Sequence, residues 1–373
     1  MNPQIEMNSK YNDEILQFTL SGVNVSLANA IRRTILSDIP LIVFKTSPYD
    51  QNKANIITNK TRLNNEILKH RLSCIPIHMK DVEEFPIKNY QLEVNVENIT
   101  DTTMYVTTKD FIIKDLVTGK PISESKNREI FPANDYTGYF IDFVRLRPKI
   151  SDEIPGESIH LTCDFSIGTA KEDGTFNAVS TCSYKCTVDD VAQEAILEKN
   201  KQTWKDEGKT KDEIDFEAKN WKLLDGMRII RKDSFDFVVQ SIGIYSNIDI
   251  INKACEILIE KFQYQDTLLE KNELKIEIAQ TTMKNAFDIT LENEDYTIGK
   301  VIEYFMLIKF YETKMLTYCG FKKLHPHDTY SFIRVAYKDA VDNSVIRGHL
   351  KECLDESIRV FSKIKKIFIS KSF

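Results

Sequence analysis

Cysteine and histidine are the side chains best suited to metal or nucleophilic chemistry, and this chain scatters them. The seven cysteines are Cys74, Cys163, Cys182, Cys186, Cys255, Cys319 and Cys353, and the six histidines are His70, His78, His160, His325, His327 and His349. There is no Cys-x-x-Cys and no His-Glu-x-x-His. Cys182 and Cys186 have a spacing that turns both thiols to one face of a strand, but a structural zinc takes four ligands and no second pair accompanies them. His325-Pro-His327 reads as a turn with a polar rim. A glycine-rich phosphate loop, a Gly-x-Ser-x-Gly elbow and an Asp-x-Asp-x-Asp cluster for the two magnesium ions of nucleotidyl transfer are all absent. The expectation is a chain with no catalytic site, no metal and no cofactor. The rival reading, a metal enzyme built on Cys182, Cys186 and histidines, predicts stoichiometric zinc.

What remains is recognition chemistry. Arg32 and Arg33 are adjacent in an apolar-periodic segment, about 100° apart around a helix axis. They are either solvated flank residues or a docking point, where a planar guanidinium pairs with a partner's carboxylate or carbonyl groups. The basic residues Arg359, Lys363, Lys365, Lys366 and Lys371 follow the last acid of the chain, Glu356. Cations suit a helix C-terminus, and that reading is preferred to a nucleic-acid contact.

The elements that must position these residues come in two copies. In residues 15–40, Ile15, Phe18 and Leu20 read as a strand. Ser26 follows as a helix cap, then Leu27, Ala30, Ile31 and Ile35 line one helix face, and Pro40 stops it. Later, Ile289-Thr-Leu291 repeats Phe18-Thr-Leu20. At the same offset and without a gap, Thr297, Ile298, Val301 and Ile302 repeat Ser26, Leu27, Ala30 and Ile31. Phe305 continues that second face. Each copy is followed by a second amphipathic helix. The first carries Ile251, Ala254, Cys255, Leu258, Ile259 and Phe262. The other carries Ile346, Leu350, Cys353, Ser357, Val360, Ile364 and Ile367, a heptad seam with one polar position, widened by Leu354, Phe361 and Phe368.

Between the halves of the first copy, residues 46–186 hold short alternating strands separated by turn signals, a β-rich insert. Residues 189–222 are dense in charge and read as a solvated helix or loop, with Trp204 and Trp221 as a candidate docking segment. Residues 268–274 read as a linker. The expected fold is α+β in three parts: a dimerisation domain split over 1–45 and 187–267, the insert 46–186, and a second dimerisation domain over 268–373.

Composition bounds the function. The chain has 373 residues, 42% hydrophobic and 28% charged, with a net charge of −6. That balance argues against a general nucleic-acid coat or charge-held membrane binding. No stretch is apolar enough for a membrane span, and the first residues lack the apolar core of a signal peptide. An odd, dispersed set of cysteines fits a reducing compartment.

Asn24-Val-Ser-Leu-Ala-Asn-Ala-Ile-Arg-Arg-Thr-Ile-Leu-Ser-Asp-Ile-Pro40 resembles the signature of the alpha-like subunits of cellular RNA polymerases: the bacterial alpha subunit, the third subunit of RNA polymerase II and the archaeal counterpart of both. Asn65-Glu-Ile-Leu-Lys-His-Arg-Leu-Ser-Cys-Ile-Pro-Ile77 and Ser234-Phe-Asp-Phe-Val-Val-Gln-Ser-Ile-Gly243 are similar to two further motifs of that family. Asn65 stands in an acidic place and Ser73 in a glycine place. The second copy resembles the family's small partner, the eleventh subunit of polymerase II and its archaeal counterpart. Its matches are Asp295-Tyr-Thr-Ile-Gly-Lys300, Cys319-Gly-Phe-Lys-Lys-Leu-His-Pro-His327 and Tyr330-Ser-Phe-Ile-Arg-Val335, with Tyr296 in a histidine place.

The resemblance implies a non-catalytic assembly platform of a DNA-directed RNA polymerase. Its two alpha-like halves, fused in one chain, would form an intramolecular pseudo-dimer through their helices. The dimerisation residues are then Leu27, Ala30, Ile31, Ile35, Leu258, Phe262, Ile298, Val301, Ile302, Phe305, Leu350, Leu354, Phe361 and Ile364. The expected partners are the two largest polymerase subunits and small polymerase subunits, with DNA met only indirectly, no membrane and no homodimer. The family carries large-subunit docking onto Arg33, with Arg32 beside it. Residues 77–90 hold no cysteine for the metal loop that many relatives have there. Fusion of the halves and an Asn/Ile/Lys-rich composition fit a large nucleocytoplasmic DNA virus. The expected location is intracellular: host cytoplasm, and the virion if packaged. The alternative is a free-standing adaptor that uses the same helices for other proteins.

Overall fold

The computed structural model describes residues 1–8, 14–80, 82, 85–151 and 153–370; Lys371 lies outside them. The chain begins with β1 (Gln4–Met7), β2 (Ile15–Ser21), α1 (Val25–Ser37) and β3 (Leu41–Val43). It continues through β4 (Ala54–Asn59), α2 (Asn65–Ser73), β5 (Tyr90–Glu97), β6 (Met104–Thr107), β7 (Ile112–Asp115) and α3 (Glu124–Ile130). Next come β8 (Asp142–Leu146), β9 (Ser158–Asp164), β10 (Ser166–Gly168), β11 (Val179–Val188), α4 (Asp190–Asp206), α5 (Lys211–Leu223) and β12 (Ile230–Ser241). The chain closes with α6 (Asn247–Glu270), β13 (Ile276–Ile278), β14 (Ala286–Glu292), α7 (Tyr296–Met306), β15 (Leu316–Lys322), β16 (Tyr330–Tyr337) and α8 (Asn343–Ser370).

These elements fall into two compact units. The smaller takes Leu36–Ser180 and Ser241–Ser246; the larger takes Met1–Ile35, Thr181–Gln240 and the chain from Asn247 onward. The insert therefore begins earlier than residue 46, because Ile42 and Phe44 are spent in the core of the smaller unit. Residues 268–373 do not stand apart as a third part but share the larger unit with the first copy. The linker over 268–274 is also shorter than expected. Helix α6 runs on to Glu270 because Leu269 is buried and its carbonyl accepts from Arg347 at 3.1 Å.

The smaller unit has a four-stranded sheet in the order β4-β9-β5-β7, a β6–β8 ribbon and a β10–β3 ribbon. Its core centres on Phe111, whose ring meets Phe131 and Phe143 edge-on, each with centroids 5.4 Å away. Asn64 caps α2 by accepting from the Ile67 amide, leaving Leu68 and Leu72 on the buried face.

The larger unit holds two four-stranded sheets, β1-β2-β12-β11 and β13-β14-β16-β15. In both, the second and third strands of the order are central and antiparallel, and a helix follows each of them in the chain. The offset seen in sequence is kept: β2 ends at Ser21 before α1 starts at Val25, and β14 ends at Glu292 before α7 starts at Tyr296. The cap of α1 is not Ser26 but Asn24. Its side-chain oxygen accepts from the Ser26 amide at 3.0 Å and from the Ser26 hydroxyl at 2.9 Å. With the helix starting at Val25, Ser26 is already in the first turn and supplies donors rather than an acceptor. The charged segment 189–222 forms α4 and α5, capped by Asp189 and by a Thr210–Glu213 capping box and tied by Lys222–Glu194 at 2.7 Å.

Helix α8 buries Ile346, Leu350, Cys353, Leu354, Ser357, Val360, Phe361, Ile364 and Phe368. The buried stripe leaves the heptad seam at its end, where Phe368 rather than Ile367 points inward. A straight helix of 3.6 residues per turn drifts off a strict seven-residue repeat. Buried Ser357 satisfies its hydroxyl by donating to the Cys353 carbonyl at 2.7 Å.

Gly299 on α7 lies against the Phe321 ring of β15, and a Cβ there would sit 2.0 Å from a ring carbon. Gly299→Ala is expected to lower stability by about 1–3 kcal/mol through overpacking, read as a lowered urea midpoint. An unchanged midpoint would mean that Phe321 swings aside freely.

Candidate functional site

The residues singled out for dimerisation are all inside the larger unit. Leu27, Ala30, Ile31 and Ile35 of α1, Leu258 and Phe262 of α6, Ile298, Val301, Ile302 and Phe305 of α7, and Leu350, Leu354, Phe361 and Ile364 of α8 are each at most 1% exposed. Burying one such large side chain contributes about 1.5–3 kcal/mol, so these stripes are the main cohesive surface of the unit.

Helices α6 and α8 pack along their lengths. Phe262 stacks on Phe361 with centroids 5.8 Å apart and planes at 16°. Lys365 pairs with Glu256 at 2.6 Å, and Lys351 pairs with Asp266 at 2.6 Å and Glu270 at 2.9 Å. Early residues of one helix meet late residues of the other, so the pair is antiparallel. The hydrogen bonds from Lys351 to Asp266 and Glu270 hold its ammonium above the usual lysine range. Phe368 reaches the first sheet, where its edge meets the Phe18 ring at 5.0 Å, and Phe18 in turn stacks on Phe237.

Arg33 joins α1 to the start of α7. Its Nη2 donates to Asp295 Oδ2 at 2.7 Å and its Nε donates to the Thr297 hydroxyl at 2.9 Å. Asp295 is also the N-cap of α7, its other oxygen accepting from the Thr297 amide at 2.8 Å. One carboxylate thus meets a helix N-terminus and a guanidinium together, and both attract negative charge. The Arg33 side chain is 36% exposed. By the same offset, the residue of the first copy equivalent to Asp295 is Asn24, and the residue of the second copy equivalent to Arg33 is Tyr304. Burial pushes the Tyr304 phenol up, and the Asp233 carboxylate adds to it. Asp233 in turn holds the Gly22 amide through its carbonyl at 2.9 Å, just before α1.

Arg32 points elsewhere, with its Nε donating to Asn29 at 2.9 Å. It lies near enough to Cys182 to oppose, in part, the burial that pushes that thiol up to about 12. Burial likewise pushes Cys255 to about 12, so both are protonated thiols at neutral pH. Among the described residues, no group of three or more His, Cys, Asp or Glu side chains could hold a metal ion. No described helix is long and apolar enough to cross a membrane. In the basic C-terminal turns, Lys365 pairs with Glu256, Arg359 pairs with Glu356, and Lys363 bonds to the Asn2 side chain.

Sequence reasoning missed Asp295 as the partner of Arg33. Only its place as a helix cap was legible, since Asp295 precedes the second copy's helix as Asn24 precedes the first. It also missed Asp266 and Lys351, charges flanking the seams where helix pairs place their bridges. Gln265 of α6 was missed as well. It is buried, and among the described residues neither its amide nitrogen nor its oxygen has a hydrogen-bond partner.

Residues 17–262 match the RNA polymerase Rpb3/Rpb11 dimerisation domain. The chain belongs to that family. Among its relatives is the DNA-directed RNA polymerases I and III subunit rpac1 of Dictyostelium discoideum, 27% identical over 284 residues, spanning 69% of this chain and 79% of that protein. The RPAC1 protein of Bos taurus is 25% identical over 287 residues, 66% of this chain and 79% of its own. The DNA-directed RNA polymerase subunit Rpo3 of Picrophilus torridus is 26% identical over 183 residues, 46% and 60% of the two chains. The Rpb3/Rpb11 match ends at Phe262, so it takes in most of the first sheet, α1 and most of α6, and leaves out the second sheet, α7 and α8.

Two outcomes follow for this Rpb3/Rpb11-type core. In a double-mutant cycle of Arg33→Ala and Asp295→Ala, the coupling is expected at about 0.5–1 kcal/mol, reduced for partial exposure and weakening with salt. Strict additivity would show the pair to be incidental. Gln265→Leu is expected to raise the urea midpoint by an amount equivalent to about 1 kcal/mol, because it removes two unpartnered buried polar atoms. A lower midpoint would reveal a partner for the amide.

Proposed function

We propose that this chain is a non-catalytic assembly platform of a DNA-directed RNA polymerase, in which two alpha-like halves fused in one chain pair with each other and dock the two largest subunits. The observation that carries this reading is the recurrence of one sheet order and one strand–cap–helix offset in the larger unit, with α6 from one half laid antiparallel on α8 from the other. The family match supports the first half and the polymerase setting. The second half rests on its motifs and its equivalent topology. Fusion gives the halves a permanently high effective concentration for each other, and their shared apolar stripes then have no need of a second copy.

Of the two arginines expected at the docking point, Arg33 has two of its donors on Asp295 and Thr297. We therefore assign the outward role chiefly to Arg32, with the exposed edge of Arg33 beside it.

The test has two arms. A protease site inserted after Asn272, an exposed residue beyond α6, should allow cutting without separation, and the pieces should co-elute on gel filtration. Separation of the pieces would overturn the pseudo-dimer. A tagged chain recovered from its native source should bring down two large polymerase subunits in equal amounts, and Arg32→Glu should reduce that recovery while leaving thermal unfolding unchanged. Recovery of other proteins without polymerase subunits would favour the adaptor reading.

A further inference from the structure

The smaller unit carries a cationic cleft that the platform reading does not use. A hollow of about 300 Å³ beside the β6–β8 ribbon is lined by Arg62, Arg71, Arg145 and Arg147. Four guanidinium groups there face two carboxylates, Asp142 and Glu157, in a chain whose net charge is −6. One charge is cancelled inside the unit, since Arg147 Nε pairs with Glu157 at 2.5 Å. Arg71 is held rigidly but not neutralised. Its Nε donates to the Phe143 carbonyl at 2.7 Å and its Nη2 to the Asp142 carbonyl at 2.8 Å, and carbonyls carry no net charge. Arg62 and Arg145 are exposed, and neither has a carboxylate partner among the described residues.

An aromatic surface adjoins the charge. Tyr105 stands directly across the ribbon from Arg145 and is 55% exposed. It lines the cationic cleft on one side and, on the other, a second hollow with Tyr139 and Phe140. Rigid aromatic rings beside arginines are the residues that dominate protein-protein hot spots. A guanidinium whose position is already fixed also binds a carboxylate with little further loss of side-chain entropy.

We propose that this face binds an acidic segment of another protein, with carboxylates in the arginine cleft and an aromatic side chain in the adjoining hollow. Charge complementarity selects the occupant. Asp142 lines both hollows, so a nucleic-acid strand crossing from one to the other would carry its phosphates past a carboxylate. A peptide can set a neutral aromatic residue at that step. The inference stands on the smaller unit's own geometry and does not require the platform reading.

The test uses the full chain and a fluorescein-labelled short peptide of aspartates and glutamates around one phenylalanine, titrated at low ionic strength. Saturable binding is expected, weakening steeply with added salt. Replacing the phenylalanine with alanine should weaken it several-fold. The Arg62→Glu/Arg145→Glu variant should weaken it at least about tenfold, while Arg62→Lys/Arg145→Lys keeps most of it. Both sites are exposed, and an unchanged unfolding midpoint will show that the fold is intact. Absence of saturable binding, or binding indifferent to the charge reversals, would overturn the proposal. Displacement by a short oligo(dT) that binds more tightly through the same arginines would also overturn it, by making the face a nucleic-acid surface.

Discussion

The antiparallel seam of α6 against α8 is the contact on which the larger unit depends. The central strands of each four-stranded sheet bury alternate residues, and the helices that follow them carry apolar stripes of their own. Helix α8 has a stripe broad enough to meet α6 through Phe361 and the first sheet through Phe368. Helix α8 therefore covers apolar surface of α6 and of the first sheet together. Hydrophobic burial is not directional, so a broad stripe alone would permit sliding. The Lys365–Glu256 and Lys351–Asp266 pairs and the stacked Phe262 and Phe361 rings define one register along the seam.

Polar contacts refine that arrangement at its ends. Asp295 serves α7 as a cap and Arg33 as a counter-ion through its two oxygens, so one residue orients a helix start and ties it to α1. The equivalent residues, Asn24 of the first copy and Tyr304 of the second, carry no such ion pair, since neither side chain is a carboxylate or a cation. The two sheets have the same strand order but different chemistry where α1 meets α7. Chemical difference between equivalent faces is how paired elements acquire a single orientation.

In the smaller unit, Arg71 shows how a motif residue can be structural and still shape a surface. Its donors bind backbone carbonyls of β8 and hold helix α2 to the ribbon. Carbonyl partners leave its charge in place, and Arg62 and Arg145 add to it. The positive cleft is in this sense a by-product of how α2 is anchored.

Much of this is legible in the residues. The repeat, the stripes of α1, α6, α7 and α8, and the strand-rich insert follow from periodicity, because burial of one face forces apolar residues to recur at helix or strand spacing. Where one buried set ends and the next begins is not legible. Residues 36–44 read in sequence as part of the first copy, yet Ile42 and Phe44 pack in the smaller unit, and periodicity carries no information on which core an apolar residue will join. Asn24 and Ser26 are both of a type that can cap α1, and only the backbone geometry chooses Asn24. The type and spacing of Arg33 leave it open between a solvated flank residue and a docking point, and only the family resemblance favours docking. That its partner is Asp295, far along the same chain, was decided by the tertiary structure alone. A salt bridge depends on a few ångströms of separation in space, and sequence distance does not encode that separation.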